Sequence, residues 1–91
     1  MLTLAANAAA IIRRLTRRVG SDAAGLRIVP APRDDVRAFE LAVVPRAGET
    51  VLESDGARVF LDQETAEQTR DLELYAFAQN GAVHLAMRPH P

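Results

Sequence analysis

The side chains of this 91-residue sequence that could do chemistry fall into a few small groups. There are two histidines, His84 and His90, a pair of adjacent aspartates, Asp34 and Asp35, and four arginines close together, Arg13, Arg14, Arg17 and Arg18. Cysteine is absent, and all 11 basic residues are arginine. Without cysteine there is no thiolate nucleophile, no disulfide and no sulfur ligand for a metal. Without lysine there is no Schiff-base chemistry.

Asp34 and Asp35 offer hard oxygen donors of the kind that hold ferrous iron or magnesium. Adjacent aspartates in a turn rarely converge on one ion unaided, and Arg33 and Arg37 flank them, so local neutralisation is the simpler reading. His84 falls in a strand on the face of Ala82 and Ala86, and His90 in a Pro-His-Pro end expected to fray. That spacing is not a recognised ligand pair. No metal or cofactor is therefore assigned; Asp34, Asp35 and His84 are the candidates if iron binds through oxygen and nitrogen.

On a helix, Arg13 and Arg17, and likewise Arg14 and Arg18, stack four residues apart and form a basic ridge. Such a ridge can grip an acidic partner or a phosphate backbone, or it can simply be the solvated face of an amphipathic helix. The net charge of −1 and an aromatic share of 4% weigh against nucleic acid. Catalytic arrangements are missing: there is no glycine-rich phosphate loop, and Ser21 and Ser54 lie in turn signals without a nucleophile elbow. Glu64 and Glu67 are explained as helix-start residues stabilised by the dipole. The chain reads as a non-enzyme.

The elements that must position these residues can be placed from periodicity. Residues 2–4 suit a short strand, and residues 5–19 a helix whose apolar stripe is Ala8, Ile12, Leu15 and Val19, stopped by Gly20. Strands follow over 25–29 and 37–44, with Pro30 and Pro32 breaking the chain between them. Residues 50–52 and 57–61 form a hairpin about Ser54-Asp55-Gly56. Asp62 caps a helix over 63–70. Strands 72–78 and 82–88 close the chain around Asn80-Gly81, a strong hairpin signal. Seven short strands in mostly antiparallel or mixed sheets with two helices make an α+β fold.

Length and composition fit one domain over residues 1–91, with 48% hydrophobic and 25% charged residues. No run approaches the roughly 20 apolar residues of a membrane span. The opening residues lack the basic start of a signal peptide, so a cytoplasmic location is expected.

Four local strings, Leu2-Thr3-Leu4 with Ile11-Ile12, Gly25-Leu26-Arg27-Ile28, residues 55–62, and residues 72–75 with Asn80-Gly81, span nearly the whole chain, and together they resemble the HesB/IscA-like family, the A-type iron–sulfur carriers. Leu2-Thr3-Leu4 followed by alanines and Ile11-Ile12 resembles the family's first strand and helix. Gly25-Leu26-Arg27-Ile28 is similar to its Gly-Leu-Arg-aliphatic strand. Residues 55–62, Asp-Gly-Ala-Arg-Val-Phe-Leu-Asp, are similar to its Gly-x-x-Val-x-x-Asp hairpin, and Leu72-Glu73-Leu74-Tyr75 with Asn80-Gly81 to its closing hairpin. The resemblance implies cysteines in the turn after the Gly-Leu-Arg strand and in a Cys-Gly-Cys tail. This sequence has neither: the turn is 30–36, and the sequence ends at Pro91, before such a tail.

The expectation is a cysteine-less, C-terminally truncated member that keeps the fold without the cluster ligands and acts as a non-catalytic binding or scaffold module. Its partners would be proteins of iron–sulfur assembly, and a homodimer fits its flat apolar strands. The alternatives are an oxygen- and nitrogen-ligated iron binder and a small-ligand binder with a pocket between sheet and first helix.

Overall fold

The structure, a computed structural model, describes residues 1–30 and 37–90. The chain runs β1 (Thr3–Leu4), α1 (Ala6–Arg17), β2 (Gly25–Pro30), β3 (Arg37–Ala42), β4 (Thr50–Ser54), β5 (Ala57–Leu61), α2 (Gln63–Gln68), β6 (Leu72–Gln79) and β7 (Ala82–Pro89). The strands form two sheets, one ordered β1-β6-β7 and the other β3-β2-β5-β4. The α+β expectation of seven strands and two helices holds.

Three antiparallel pairs join strands that follow one another in sequence, β2–β3, β4–β5 and β6–β7, and the turns of the last two lie where turn chemistry puts them. At β4–β5, Asp55 and Gly56 have φ of 53° and 80°; at β6–β7, Asn80 and Gly81 have 52° and 79°. Two successive positive φ values make the turn whose twist matches its strands, and Asp-Gly and Asn-Gly adopt it at least cost. The other pairings are parallel and non-local: β1 beside β6, and β2 beside β5. The mixed character comes from these.

The connection from β3 to β4 is not a local turn. The two strands lie at opposite edges of their sheet, so residues 43–49 carry the chain across β2 and β5. This explains why β3 stops at Ala42 rather than at Val44. Val43 and Val44 belong to the crossover and are exposed.

The core is built from both sheets and α1: Leu2, Ile12, Leu26, Ile28, Val59, Leu61 and Leu74 are its largest members. On α1 the buried side is Ala8, Ala9 and Ile12, small residues that let the helix pack closely. Leu15 and Val19 are only half-buried, because the helix ends at Arg17, two residues earlier than the stripe suggests. α2 likewise ends at Gln68, with its cap Thr69 out of helical geometry at φ −107°. At its start the Asp62 side chain accepts from the Thr65 N–H at 2.7 Å, as expected of that cap.

The start of α1 has no side-chain cap. Instead it is tied to the neighbouring sheet. The Ala5 N–H donates to the Leu74 carbonyl at 2.8 Å. Two residues on, Asn7 acts as a surrogate peptide. Its Nδ2 donates to the Ala76 carbonyl at 2.8 Å, and its Oδ1 accepts from the Ala76 N–H at 3.0 Å. The two-residue strand β1 is thus prolonged along β6 by a side chain of the helix.

Candidate functional site

Each residue of the string Gly25-Leu26-Arg27-Ile28 has a structural role. Leu26 and Ile28 face the core. Gly25 is required by close approach: a Cβ there would lie 2.7 Å from Cζ of Phe60 and 2.9 Å from the Arg58 carbonyl oxygen. Arg27 points to the opposite face of the sheet, where Phe60 is also buried, its guanidinium carbon 5.8 Å from the ring centroid.

Arg27 is itself only 6% exposed, and its charge is fully engaged. Nε and Nη2 donate to the two carboxylate oxygens of Glu49 at 2.7 and 2.9 Å, and Nη1 to Glu40 at 3.2 Å. Nη2 also reaches the Val44 carbonyl at 3.2 Å. Val44 and Glu49 stand near the two ends of the crossover, so one side chain from β2 fastens both. Glu49 receives a further bond from the Arg46 N–H at 2.6 Å. The hydrogen bonds from Arg27 hold the Glu49 carboxyl below its ordinary range, against the opposing effect of burial. The same pairing raises Arg27 further. Nothing in the sequence reading singled out this pair. The available signal was an arginine between two apolar strand residues, an odd tenant for a position that must be paired if it is buried.

Those of the residues picked out for chemistry that the structure describes lie apart from one another. Asp34 and Asp35 lie outside the described residues. His84 is exposed on β7 and stacks on Phe77, its cross-strand partner, with ring centroids 5.3 Å apart. His90, expected to fray, is held by its backbone: its N–H donates to the Asp71 carbonyl at 2.9 Å. At the ~3.3 Å rise of a strand, the two histidines are roughly 20 Å apart. Among the described residues, no three of His, Cys, Asp and Glu come together as a metal-binding group.

The arginine ridge is divided. Arg13 turns toward the β4–β5 hairpin, where its Nη1 donates to the Asp55 carbonyl at 2.5 Å and stands 3.4 Å from its carboxylate. Arg14, Arg17 and Arg18 are exposed and form no ion pair among the described residues. Arg17 and Arg13 border a cleft at the end of α1 that also takes in Arg58. Arg14 and Arg18 lie off it.

An iron–sulfur cluster needs thiolates, with histidine replacing some of them in special cases. The donors of this chain do not fit one: it has no sulfur ligand apart from methionine, one histidine is stacked on a ring, and the other is a strand's length away. None of the described helices is long and apolar enough to cross a membrane.

No protein-family model and no curated protein sequence matches the chain. Solved structures do. Escherichia coli SufA, involved in biosynthesis of iron–sulfur clusters, superposes with a TM-score of 0.80 at 21% identity, over 97% of this chain and 84% of that one. IscA with a [2Fe-2S] cluster gives 0.73 at 24% identity, covering 98% and 85%. A protein from Aquifex aeolicus solved by NMR gives 0.75 at 19% identity, covering 96% and 89%. The order of the elements, the two mixed sheets and these superpositions agree: the chain has the HesB/IscA-like α+β fold that the strings of its sequence resemble.

Proposed function

We propose that this chain is a degenerate HesB/IscA-like protein, a non-catalytic module that binds proteins of iron–sulfur assembly without carrying a cluster itself. The observation behind this reading is a conjunction. The likeness to SufA and IscA spans almost the whole chain, while the sequence contains no cysteine at all. In this reading the fold, which does not depend on the ligands, presents the surface that assembly partners recognise. The cytoplasm is the compartment this role assigns, and a homodimer is compatible with it.

The test is anaerobic incubation of untagged protein with ferrous iron and sulfide, followed by desalting, iron analysis and visible absorbance. A colourless, iron-free protein is expected. Retained iron with charge-transfer bands would overturn the proposal in favour of oxygen and nitrogen ligands, with Asp34, Asp35 and His84 as the residues to mutate.

A further inference from the structure

Where α1 ends, the surface folds into a cleft of about 400 Å³, within the roughly 300–1,000 Å³ that small-molecule sites occupy. Three segments wall it: the last turns of the helix with Arg13, Thr16 and Arg17, the turn with Gly20, Ser21 and Asp22, and the β4–β5 hairpin with Gly56 and Arg58. The lining holds three arginines and one aspartate, and two of the arginines, Arg13 and Arg58, meet the carboxylates of Asp55 and Glu53, which leaves Arg17 as the arginine without an ion pair among the described residues.

The donors of the cleft are not equally free. The Thr16 hydroxyl is used within its own helix, 3.0 Å from the Ile12 carbonyl, and that of Ser21 reaches the Val43 carbonyl at 3.3 Å. Arg13 spends Nη1 on Asp55, its stem packed over Gly56, where a Cβ would stand 3.1 Å from Cδ of Arg13. Arg58 has Nη1 at 3.4 Å from Glu53, but its Nε–H is buried and has no acceptor among the described residues. A buried donor without a partner is uncommon, since leaving it unmade is costly. The Arg17 side chain makes no hydrogen bond or ion pair among the described residues. The unspent hydrogen-bonding capacity of the cleft is therefore chiefly guanidinium, a group whose planar fork matches carboxylate and phosphate oxygens.

We propose that this cleft is a binding site for a small multivalent oxyanion, held by the spare donors of Arg17, Arg58 and Arg13. A recessed site lined by arginine suits a compact ligand. A duplex backbone would instead need the charge spread along the ridge, and Arg14 and Arg18 lie off the cleft. Asp22 in the lining, with Asp55 and Glu53 beside Arg13 and Arg58, opposes an anion and limits affinity. The site is independent of cluster binding, so it stands or falls apart from the iron test.

The experiment is an amide NMR titration of the full chain at low ionic strength with inorganic phosphate, pyrophosphate and citrate. Saturable shifts are expected at Thr16, Arg17, Gly20, Ser21, Gly56 and Arg58 with at least one of the three. Preference for pyrophosphate identifies a phosphoryl ligand, and preference for citrate a carboxylate one. Arg17→Gln should weaken binding roughly tenfold, the loss of one charge-assisted bond. Arg14→Gln removes the same charge one helical face away and should leave affinity nearly unchanged, while Asp22→Asn should tighten it. Absence of saturable shifts with all three anions overturns the proposal. So does an equal loss in Arg14→Gln and Arg17→Gln, which would mean a diffuse field rather than a site.

Discussion

The guanidinium of Arg27 and the carboxylate of Glu49 form a two-point ion pair, at 2.7 and 2.9 Å, with both side chains less than a tenth exposed. It joins the second strand to the far end of a crossover and makes a long non-local connection part of the sheet. Taking two charges out of water is costly, and the pair offsets that cost only while both members are present.

Removing one partner should therefore be expensive. Glu49→Ala leaves Arg27 buried with only the half-exposed Glu40 and a carbonyl, and a loss of about 3 kcal/mol is expected. Glu40→Gln, at an exposed contact, should cost about 1 kcal/mol or less. Replacing both charges, as in Arg27→Met/Glu49→Leu, should recover much of the loss, because an apolar pair needs no desolvation. Urea denaturation of the four proteins measures this. A Glu49→Ala variant as stable as the parent would mean that the pair does not hold the crossover.

The same pair predicts an acid limb. The Glu49 carboxyl titrates below its ordinary range in the folded chain, chiefly through its hydrogen bonds from Arg27. A depressed folded pKa contributes stability that is fully present above the unfolded carboxylate pKa and is lost as pH falls through the folded one. Arg27 stays protonated throughout and adds no pH dependence in this range. The stability gap between the parent and Glu49→Gln should thus be widest near neutrality and shrink as pH falls into and below the ordinary carboxylate range. A gap constant with pH, measured by thermal melts across the acid limb, would contradict the linkage.

Gly25→Ala tests the close approach of β2 to β5. The new methyl would meet the ring of Phe60 and the Arg58 carbonyl below 3.0 Å. Overpacking of this kind costs roughly 1–3 kcal/mol. Trimming the ring in Gly25→Ala/Phe60→Leu should relieve only part of the strain, since the carbonyl is backbone and cannot turn aside. Full recovery in the double variant would show that the ring alone sets the limit.

The course of the chain was legible wherever a local rule governed it. Asp-Gly and Asn-Gly marked two hairpins, and Asp62 marked a helix start. The parallel pairings and the crossover were not legible, because they join segments with no local signature: nothing near Thr50 announces that two strands separate β4 from β3. The candidate site followed the same division. Four arginines at helical spacing were plain, but which of them meets the hairpin depends on Asp55, 42 residues from Arg13 in the chain. Arg58 and Asp22, which complete the cleft, read as an ordinary strand residue and a turn residue. Asn7 drew no notice, because its role is to imitate a backbone that the sequence places 69 residues away.

That imitation carries a further prediction. Asn7 gives one bond to the Ala76 carbonyl and takes one from its N–H, so Asn7→Ala leaves both peptide groups of β6 without their partner. Each net hydrogen bond is worth about 1 kcal/mol, and the site is part-buried, so a loss of roughly 1–3 kcal/mol is expected. Asn7→Asp keeps the acceptor and replaces the donor with a second oxygen facing the Ala76 carbonyl, so it should not rescue the fold. Asn7→Gln moves the amide by a methylene and should recover little. The decisive readout is local: hydrogen exchange at the Ala76 amide should speed up in Asn7→Ala, while the Leu61 amide, in the other sheet, changes only as much as global stability does. If the Ala76 amide stays as protected as in the parent, β6 does not depend on the side chain, and the short first strand holds the sheet by its own two residues.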